Sequence, residues 1–228
     1  PAAVIRCALL IGNPDLDPAS VLTGPEAGLL GPRAVPKRHN DFLRGRWIGK
    51  KLLGSVAPGA DLRDLLILPD DRGVPCPFDA HGALPWSLSL SHTEGFAAAA
   101  ITPLPGLVGI DVERPIPEPS LVAQDYFTDR ERSFLVPAGD RASRVAAVIW
   151  SAKEAASKAL GEGLRLSLLA MEVSDAGPLE PSSWHPLRMS ISGHPPLSLW
   201  SWHEQGAVVT VASVGMGDAA LPRWELRV

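Results

Sequence analysis

Residues 145–161 read VAAVIWSAKEAASKALG, and this stretch decides the fold of the second half of the chain. At 100° per residue its apolar side chains fall on one face of a helix, and Gly161 stands where such a helix would end. The apolar positions are Val145, Val148, Ile149, Ala152, Ala156, Ala159 and Leu160. Trp150, Glu154 and Lys158 form a stripe on the opposite face. The pattern predicts a long helix that buries one face and presents two charged side chains on the other.

A strand is predicted at residues 107–113, ahead of this helix. Its apolar residues alternate with acidic ones, so that Asp111 and Glu113 face the same side, about 7 Å apart. For an arbitrary pair of acids at this spacing, a solvated strand face is the commoner explanation. The apolar neighbours favour an interior strand instead. Between this strand and the long helix, Thr128 with Glu131 three residues later predicts the capped start of another helix.

The first half of the chain repeats this order of elements. Residues 37–53 predict an amphipathic helix, and residues 86–101 predict a hairpin that turns at 92–95. Residues 197–214 predict a second hairpin, which turns at 203–206. A WxxK motif starts at both Trp47 and Trp150, and LxxxHxxG occurs in both hairpins. These matches indicate a duplicated helix-plus-hairpin unit, although matches this short also arise by chance.

Composition narrows the class of protein. The 228 residues are 46% hydrophobic, so the chain can bury a substantial core. The 21 Lys and Arg against 25 Asp and Glu give a net charge of -4, which provides no global attraction to nucleic acid or to an anionic membrane. Two cysteines, Cys7 and Cys76, are too few for a disulfide framework. Without a recognisable leader or membrane-length apolar segment, we expect a cytoplasmic protein.

Three carboxylates predict a site for a hard cation. Asp111, Glu113 and Glu154 would supply only oxygen ligands, which suit Mg²⁺, an ion that completes its shell with water and phosphate oxygens. Lys153 and Lys158 would offset phosphate charge at the same place. The alternative is an ordinary surface ion pair between Glu154 and Lys158. Trp150 on the same stripe weakens that alternative, because a solvated face seldom carries tryptophan.

Two motifs resemble those of a known family, the 4′-phosphopantetheinyl transferases. GIDVE at 109–113 and WSAKEAASK at 150–158 are similar to its GxDxE and WxxKExxxK motifs. Gly73-Val74-Pro75, SLSH at 89–92 and the basic stretch 37–46 are further matches, so the resemblance covers residues 37–168. Chain length and the suspected duplication resemble the monomeric, surfactin-synthetase-activating type.

The resemblance implies an α+β fold that is a pseudo-dimer of two similar helix-plus-antiparallel-sheet halves. Residues 1–106 would bind the 3′-phosphate and adenine of coenzyme A. Residues 107–228 would bind Mg²⁺ and the pyrophosphate, with the active site in the cleft between the halves. The implied reaction moves the phosphopantetheine arm of coenzyme A to a serine of an apo acyl, peptidyl or aryl carrier protein and releases 3′,5′-ADP.

The resemblance also implies a role for each residue at the reacting phosphate. Asp111, Glu113 and Glu154 would hold Mg²⁺. Glu154, directly or through a metal-bound water, would be the general base for the carrier serine. Lys158 would contact the pyrophosphate, and Lys153 would help neutralise charge at the reacting phosphate.

The family's nucleotide-binding positions lie in the first half. The residues implied to bind coenzyme A there are Arg38, Arg46, Arg72, Gly73, Val74, Pro75, Ser91 and His92. His92 would bind the 3′-phosphate together with Arg38 and Arg46, and Gly73-Val74-Pro75 would wrap the adenine through its backbone. Many relatives carry a charged residue where Val74 stands, and Arg72 is the alternative side-chain contact.

Two other functions fit the same sequence. One is a coenzyme A or carrier-protein binding module that has lost turnover. The other is an unrelated α+β protein whose acidic residues hold a structural cation, although that would leave the basic stretch and SLSH unexplained. Residues 126–135 are the expected carrier surface, and the carrier could belong to fatty acid, polyketide or nonribosomal peptide synthesis.

Overall fold

The computed structural model describes residues 4–31, 33–57, 59–179, 183–194, 196–216 and 221–228, and it shows an α+β fold. The helices are α1 Pro18–Val21, α2 Gly24–Gly28, α3 Pro36–Gly54, α4 Pro119–Tyr126, α5 Asp129–Ala138 and α6 Ala142–Leu160. The strands of the first half are β1 Ile5–Ile11, β2 Leu66–Pro69, β3 Pro75–Asp79, β4 Gly82–Ala83, β5 Trp86–Thr93 and β6 Phe96–Pro103. The remaining strands are β7 Leu107–Glu113, β8 Met171–Asp175, β9 His185–Pro186, β10 Arg188–Ile191, β11 Ser198–Glu204, β12 Ala207–Val214 and β13 Pro222–Arg227.

The predicted elements are present at almost their predicted bounds. The strand at 107–113 and the two long helices are confirmed, and Gly161 ends α6 in the left-handed conformation. Thr128 and Glu131 form the predicted capping box of α5. Both hairpins are confirmed, with strands that run further into the predicted turns. No helix in the described part of the chain is both long and apolar enough to cross a membrane.

Two four-stranded sheets form the centre of the molecule. Their strand orders are β13-β1-β6-β5 and β7-β12-β11-β9. All neighbours are antiparallel except β13 and β1, which are parallel. The short strands form two smaller sheets, β2-β3-β4 and β10-β8.

Three apolar clusters show how the layers pack. One lies between α3 and the first sheet, and another lies between α6 and the second sheet. The third contains residues from the other face of each sheet, including Cys7, Ile110 and Trp202. The two sheets therefore pack against each other, with one long helix on the outside of each.

The order of elements confirms the internal repeat. In each half a strand leads through two short helices to a long helix and then to a hairpin, and the second strand of the hairpin pairs with the first strand of the half. Thus β1, α3, β5 and β6 correspond to β7, α6, β11 and β12. A chain that folds as two copies of one unit is the pseudo-dimer expected from the sequence.

A buried ion pair occupies the same place in both halves. Lys50 on α3 pairs with Glu26 at 2.6 Å, and Lys153 on α6 pairs with Glu131 at 2.6 Å. All four side chains are fully buried. Each glutamate closes a capping box and accepts a backbone N–H from a strand of its half. Each pair therefore ties a long helix to the helix and strand beside it.

Serine hydroxyls connect the two halves where β5 runs beside β7. The Oγ atoms of Ser87, Ser89 and Ser91 accept hydrogen bonds from the backbone N–H groups of Val108, Ile110 and Val112. We call this row the serine ladder. Because it spans the two sheets at their adjoining edges, it fixes the position of β7 relative to the first half.

Candidate active site

The position of Gly109 sets how closely α6 approaches β7. A Cβ atom at Gly109 would lie 1.9 Å from the carbonyl oxygen of Ala155 and 2.5 Å from the backbone nitrogen of Ala159. Only a residue without a side chain fits at this distance. The close packing brings the stripe of Glu154 and Lys158 down to the acidic face of β7.

Asp111 is the most buried carboxylate of the site. Its side chain is 5% exposed, and Oδ1 accepts hydrogen bonds from Lys158 Nζ at 2.7 Å and from Ser91 Oγ at 2.8 Å. Lys158 also donates to the carbonyl oxygen of Ile110 at 3.1 Å. Asp111 Oδ2 is buried and has no hydrogen-bond partner among the residues that the structure describes. One oxygen of this carboxylate is therefore held in place, while the other retains its capacity to accept.

Glu113 and Glu154 lie in the same electrostatic environment. Burial raises the pKa of Glu113 from 4.5 to about 7, and the charges of Asp111 and Glu154 add to the increase, while Lys158 and a hydrogen bond from Trp150 oppose it. Burial also raises the pKa of Glu154, with Lys158 lowering it and Asp111 raising it. The charges of Asp111, Glu113 and Glu154 are thus offset by one nearby ammonium group, that of Lys158. A further cation would stabilise the ionised form of these carboxylates.

A ready-made metal cluster is absent from the part of the chain that the structure describes. No three His, Cys, Asp or Glu side chains there are gathered closely enough to hold an ion. The prediction that Asp111, Glu113 and Glu154 grip one ion therefore stays a prediction. Their chemistry fits Mg²⁺ nevertheless, because all three side chains are carboxylates and Asp111 Oδ2 has no hydrogen-bond partner among the described residues.

A cavity of about 590 Å³ adjoins the first hairpin and α3. Its walls contain five of the residues predicted to bind coenzyme A: Arg38, Arg46, Gly73, Pro75 and His92. Lys37, Asp41 and Phe42 also line it, so the cavity carries several positive charges beside one aromatic ring. We call it the first cavity.

His92 lies between the first cavity and the acidic site, and charged side chains of both surround it. Burial lowers the pKa of His92, and Lys158 lowers it further, whereas Asp41 raises it. The distance from His92 Nδ1 to Asp41 Oδ2 is 3.8 Å. Ser91, which precedes His92 on β5, donates to Asp111 Oδ1 at 2.8 Å, so the first cavity and the acidic site adjoin each other.

Arg46 reaches the first cavity from α3. Its guanidinium lies 4.2 Å above the Phe42 ring, and its Nε is 3.7 Å from Glu26 Oε1. Burial lowers the pKa of Arg46, and Glu26 opposes that effect. The buried pair of the first half is thus in contact with the wall of the first cavity.

The loop that carries Gly73 is held by Asp70. The Asp70 carboxylate accepts hydrogen bonds from the backbone nitrogens of Arg72 at 2.8 Å and Val74 at 2.9 Å. Gly73 has a φ of 86°, a conformation that glycine adopts without strain. Arg72 points toward the second half, since a Cβ atom at Gly161 would lie 3.6 Å from its Nη1. Neither Arg72 nor Val74 lines the first cavity.

Two predicted ligand-binding residues are occupied by protein contacts. Ser91 is buried, donates to Asp111 and accepts from Val112, so its hydroxyl belongs to the serine ladder. Lys153 is fully buried and contacts Glu131 together with the carbonyl oxygens of Tyr126 and Leu168. The assignment of Lys153 to phosphate is therefore corrected: its ammonium group faces the interior and has no free donor direction.

Sequence reasoning missed the partners of these residues. The signal for Glu131 was its capping box, which was read only as a helix start. Glu26 has the same signal, since Thr23 and Glu26 also form a capping box. Asp41 gave no signal, because an acidic residue among basic ones on a helix is ordinary on a solvated surface.

Comparisons with known proteins agree with these motifs. Residues 107–212 match the model of the 4′-phosphopantetheinyl transferase superfamily. The chain is also similar to proteins named holo-[acyl-carrier-protein] synthase from Streptococcus agalactiae serotypes III, V and Ia. Each is 35% identical over 89 residues, which cover 36% of this chain and 71% of the relative.

Proposed function

The chain belongs to the 4′-phosphopantetheinyl transferase superfamily, and from this we propose that it transfers the phosphopantetheine arm of coenzyme A to a serine of an apo carrier protein. Phosphopantetheinyl transfer is the general activity that the family carries. The carrier class, acyl, peptidyl or aryl, and a monomeric state are part of the proposal. So is the division into repeats at 1–106 and 107–228, which fits the start of β7 at Leu107.

One observation carries the proposal: a basic cavity adjoins a group of three carboxylates and a lysine. The first cavity offers Arg38, Arg46 and His92 to the 3′-phosphate of coenzyme A. The charge of Lys158 lowers the pKa values of both His92 and Glu113. Lys158 is therefore the group that would contact the pyrophosphate. This arrangement favours a substrate that carries phosphate groups at both ends of its nucleotide part.

The roles at the reacting phosphorus follow from charge and burial. The oxygen of the carrier serine attacks the β-phosphorus while the bond from that phosphorus to the bridging oxygen breaks, and 3′,5′-ADP leaves. Glu154 accepts the serine proton, and burial raises the pKa of its carboxyl group while Lys158 lowers it. A magnesium ion held by Asp111, Glu113 and Glu154 would neutralise phosphate charge there.

The transfer itself is tested by mass spectrometry of apo carrier proteins incubated with coenzyme A and Mg²⁺. We expect one phosphopantetheinyl group to be added, and Glu154→Gln to slow this on the order of 10²–10⁴-fold. Glu225→Gln is the control, because Glu225 on β13 pairs with Arg6, and β13 lies at the edge of its sheet opposite β5. A wild-type rate for Glu154→Gln would contradict its role as the base. If no acyl, peptidyl or aryl carrier gains mass while coenzyme A still binds, the chain is a binding module.

The role of His92 is tested by comparing two ligands. We expect His92→Ala to weaken binding of coenzyme A but not of its 3′-dephosphorylated form, measured by calorimetry. His81→Ala is the matched control, because His81 is exposed at the turn before β4 and does not line the first cavity. If His92→Ala weakened the binding of both ligands equally, His92 would not contact the 3′-phosphate.

A further inference from the structure

Gly45 lies in the middle of α3, where a glycine lowers the stability of the helix. The helix runs from Pro36 to Gly54, so Gly45 is equally far from both ends. A glycine in a helix interior is less favourable than an alanine, because its backbone loses more conformational freedom on folding. The φ of Gly45 is not positive, so the local conformation is open to any residue. Backbone geometry therefore does not explain why a glycine stands here.

Packing within the protein does not explain Gly45 either. A Cβ atom built there has no described atom within 4 Å, apart from its chain neighbours and the backbone of its own helix. Gly49, one turn later, is the opposite case, because a Cβ atom there would lie 2.9 Å from a methyl group of Ile67 and 2.9 Å from one of Leu90. Contact with β2 and β5 thus accounts for Gly49, whereas a side chain at Gly45 would enter open space.

The open space beside Gly45 belongs to the first cavity, which Gly45 lines. Other lining residues from α3 include Arg38, Asp41, Phe42 and Arg46. At these spacings the positions share one face of the helix. Among the lining residues that α3 supplies within the described chain, Gly45 alone has no side chain. It therefore forms a recess between longer side chains, and its own surface is largely shielded.

The cavity wall near this recess is less polar than the wall at the start of α3. Leu90 packs against α3 one turn after Gly45 and lines the first cavity. Pro69, the last residue of β2, lines it as well. Lys37 and Arg38 lie in the first turn of the helix, about two turns before Gly45. The first cavity thus offers cations to phosphate groups at one end and apolar surface to a flat base at the other.

We propose that Gly45 is a specificity-determining residue for coenzyme A, because its missing side chain lets the adenosine part of the ligand pack directly against the backbone of α3. This role rests on the proposed function, since the ligand is the coenzyme A of that reaction. Any side chain at position 45 takes up volume that the ligand needs, so affinity decreases as the side chain grows. The glycine thus makes the helix less stable and the site larger.

The test measures stability and affinity in the size series Gly45→Ala and Gly45→Leu. Alanine is the better helix former, so we expect Gly45→Ala to unfold at a temperature about 1–4 °C higher than the wild type. Calorimetry uses 3′,5′-ADP, which contains the adenosine and lacks the phosphopantetheine arm, and the full chain without carrier protein. The affinity should decrease about tenfold in Gly45→Ala and about a hundredfold in Gly45→Leu.

Gly54→Ala is the matched control for Gly45→Ala. Gly54 belongs to the same helix, and a Cβ atom there also meets nothing within 4 Å. Gly54 does not line the first cavity, so its substitution should leave the affinity for 3′,5′-ADP unchanged. A comparable loss of affinity in Gly54→Ala would mean that a general change in α3, and not the recess, controls binding.

Opposite changes in stability and affinity distinguish this role from a structural one. Wild-type affinity in both Gly45 variants would show that the ligand does not contact the recess, and would overturn the role of Gly45. A lower unfolding temperature for Gly45→Ala would overturn it too, because packing would then require the glycine. If the wild type binds 3′,5′-ADP, the variants bind it weakly and no carrier is modified, only the proposed transfer fails. A wild type that does not bind 3′,5′-ADP would contradict both.

Discussion

The ammonium groups of Lys50 and Lys153 are fully buried, and each lies 2.6 Å from a glutamate that is equally buried. Burial lowers the pKa of both lysines, and the adjacent glutamate opposes that effect. Lys153 also donates to two carbonyl oxygens, those of Tyr126 and Leu168, and Lys50 donates to one, that of Val21. A charge in this environment stays only while its partner is present.

Removal of either lysine should therefore destabilise the protein. We expect Lys50→Met and Lys153→Met each to lower the free energy of unfolding by about 3–5 kcal/mol, because an unpaired buried glutamate remains. Urea denaturation measures this. Lys51→Met is the control, since Lys51 is exposed on the same helix. A loss below about 1 kcal/mol, the level of an exposed pair, would contradict the buried-pair assignment.

Substitution of Lys153 and of Lys158 should have different effects on the affinity for coenzyme A. At temperatures where both variants are folded, we expect Lys153→Met to bind coenzyme A as the wild type does, because its ammonium group faces Glu131. Lys158→Met should bind it more weakly, because Lys158 lies beside Asp111. Calorimetry with coenzyme A distinguishes them. Weaker binding in folded Lys153→Met would restore its predicted contact with phosphate.

His203 should make stability depend on pH. Its pKa in the folded protein is lowered by burial, His185 and Arg144, so the unfolded chain takes up a proton first as pH falls below about 6.5. Stability should therefore be full above pH 6.5 and decrease below it, by at most about 1.4 kcal/mol per pH unit from this group. We expect His203→Gln to reduce that slope in denaturation series between pH 5 and 7, and the exposed His81→Gln to leave it unchanged. Parallel slopes for wild type and His203→Gln would contradict a neutral buried ring.

At the scale of elements, periodicity was sufficient to predict the two long helices, the acidic strand and both hairpins, because each buries one continuous face. The ends of the hairpins were less well predicted. The second hairpin turns at Gln205 and Gly206, two residues with positive φ, later than the histidine suggested. Periodicity shows which face of an element is buried, but it does not show which other element packs against that face. The contacts between elements could therefore not be predicted.

The candidate site was predictable in part for the same reason. The acidic face of β7 and the stripe on α6 follow from spacing alone. The inward direction of Lys153 does not, because the residue lies next to Glu154 in the sequence and differs from it only in which side of α6 it occupies. The capping glutamate Glu131 decides that direction.

Gly109 should be the most sensitive position between β7 and α6. We expect Gly109→Ala to lower both stability and the rate of transfer, because the added Cβ would overlap the backbone of α6 at Ala155 and push Glu154 away from the strand. Thermal unfolding and the carrier assay measure the two effects. Gly54→Ala is the control, since a Cβ there meets nothing within 4 Å. A Gly109→Ala protein with normal activity would show that α6 can sit further from β7.

At the scale of the whole molecule, the two halves share one apolar cluster between their sheets and one row of side-chain hydrogen bonds at their edges. The cluster is non-directional, whereas each serine fixes one backbone N–H of β7. The register of the halves, and with it the position of Asp111 beside Ser91, therefore depends on the serine ladder.

Ser89 should contribute to this junction more than its size suggests. We expect Ser89→Ala to cost about 1–3 kcal/mol, because the buried N–H of Ile110 loses its acceptor. Hydrogen exchange should show faster exchange at the Ile110 amide. Ser133→Ala is the control, because Ser133 is exposed on α5. Unaltered protection at Ile110 would mean that another acceptor replaces the hydroxyl.

The parallel pairing of β13 with β1 affects the order in which a newly made chain can fold. Residues 222–227 form the outer strand of the sheet that begins with residues 5–11, and Val228 exchanges backbone hydrogen bonds with Leu9 and Ile11. During synthesis, β13 leaves the ribosome after nearly every other described residue. The first sheet cannot be completed before then. The earlier repeat is thus completed after the later one, and a fragment ending at residue 106 would leave one edge of β1 open to pairing with other chains.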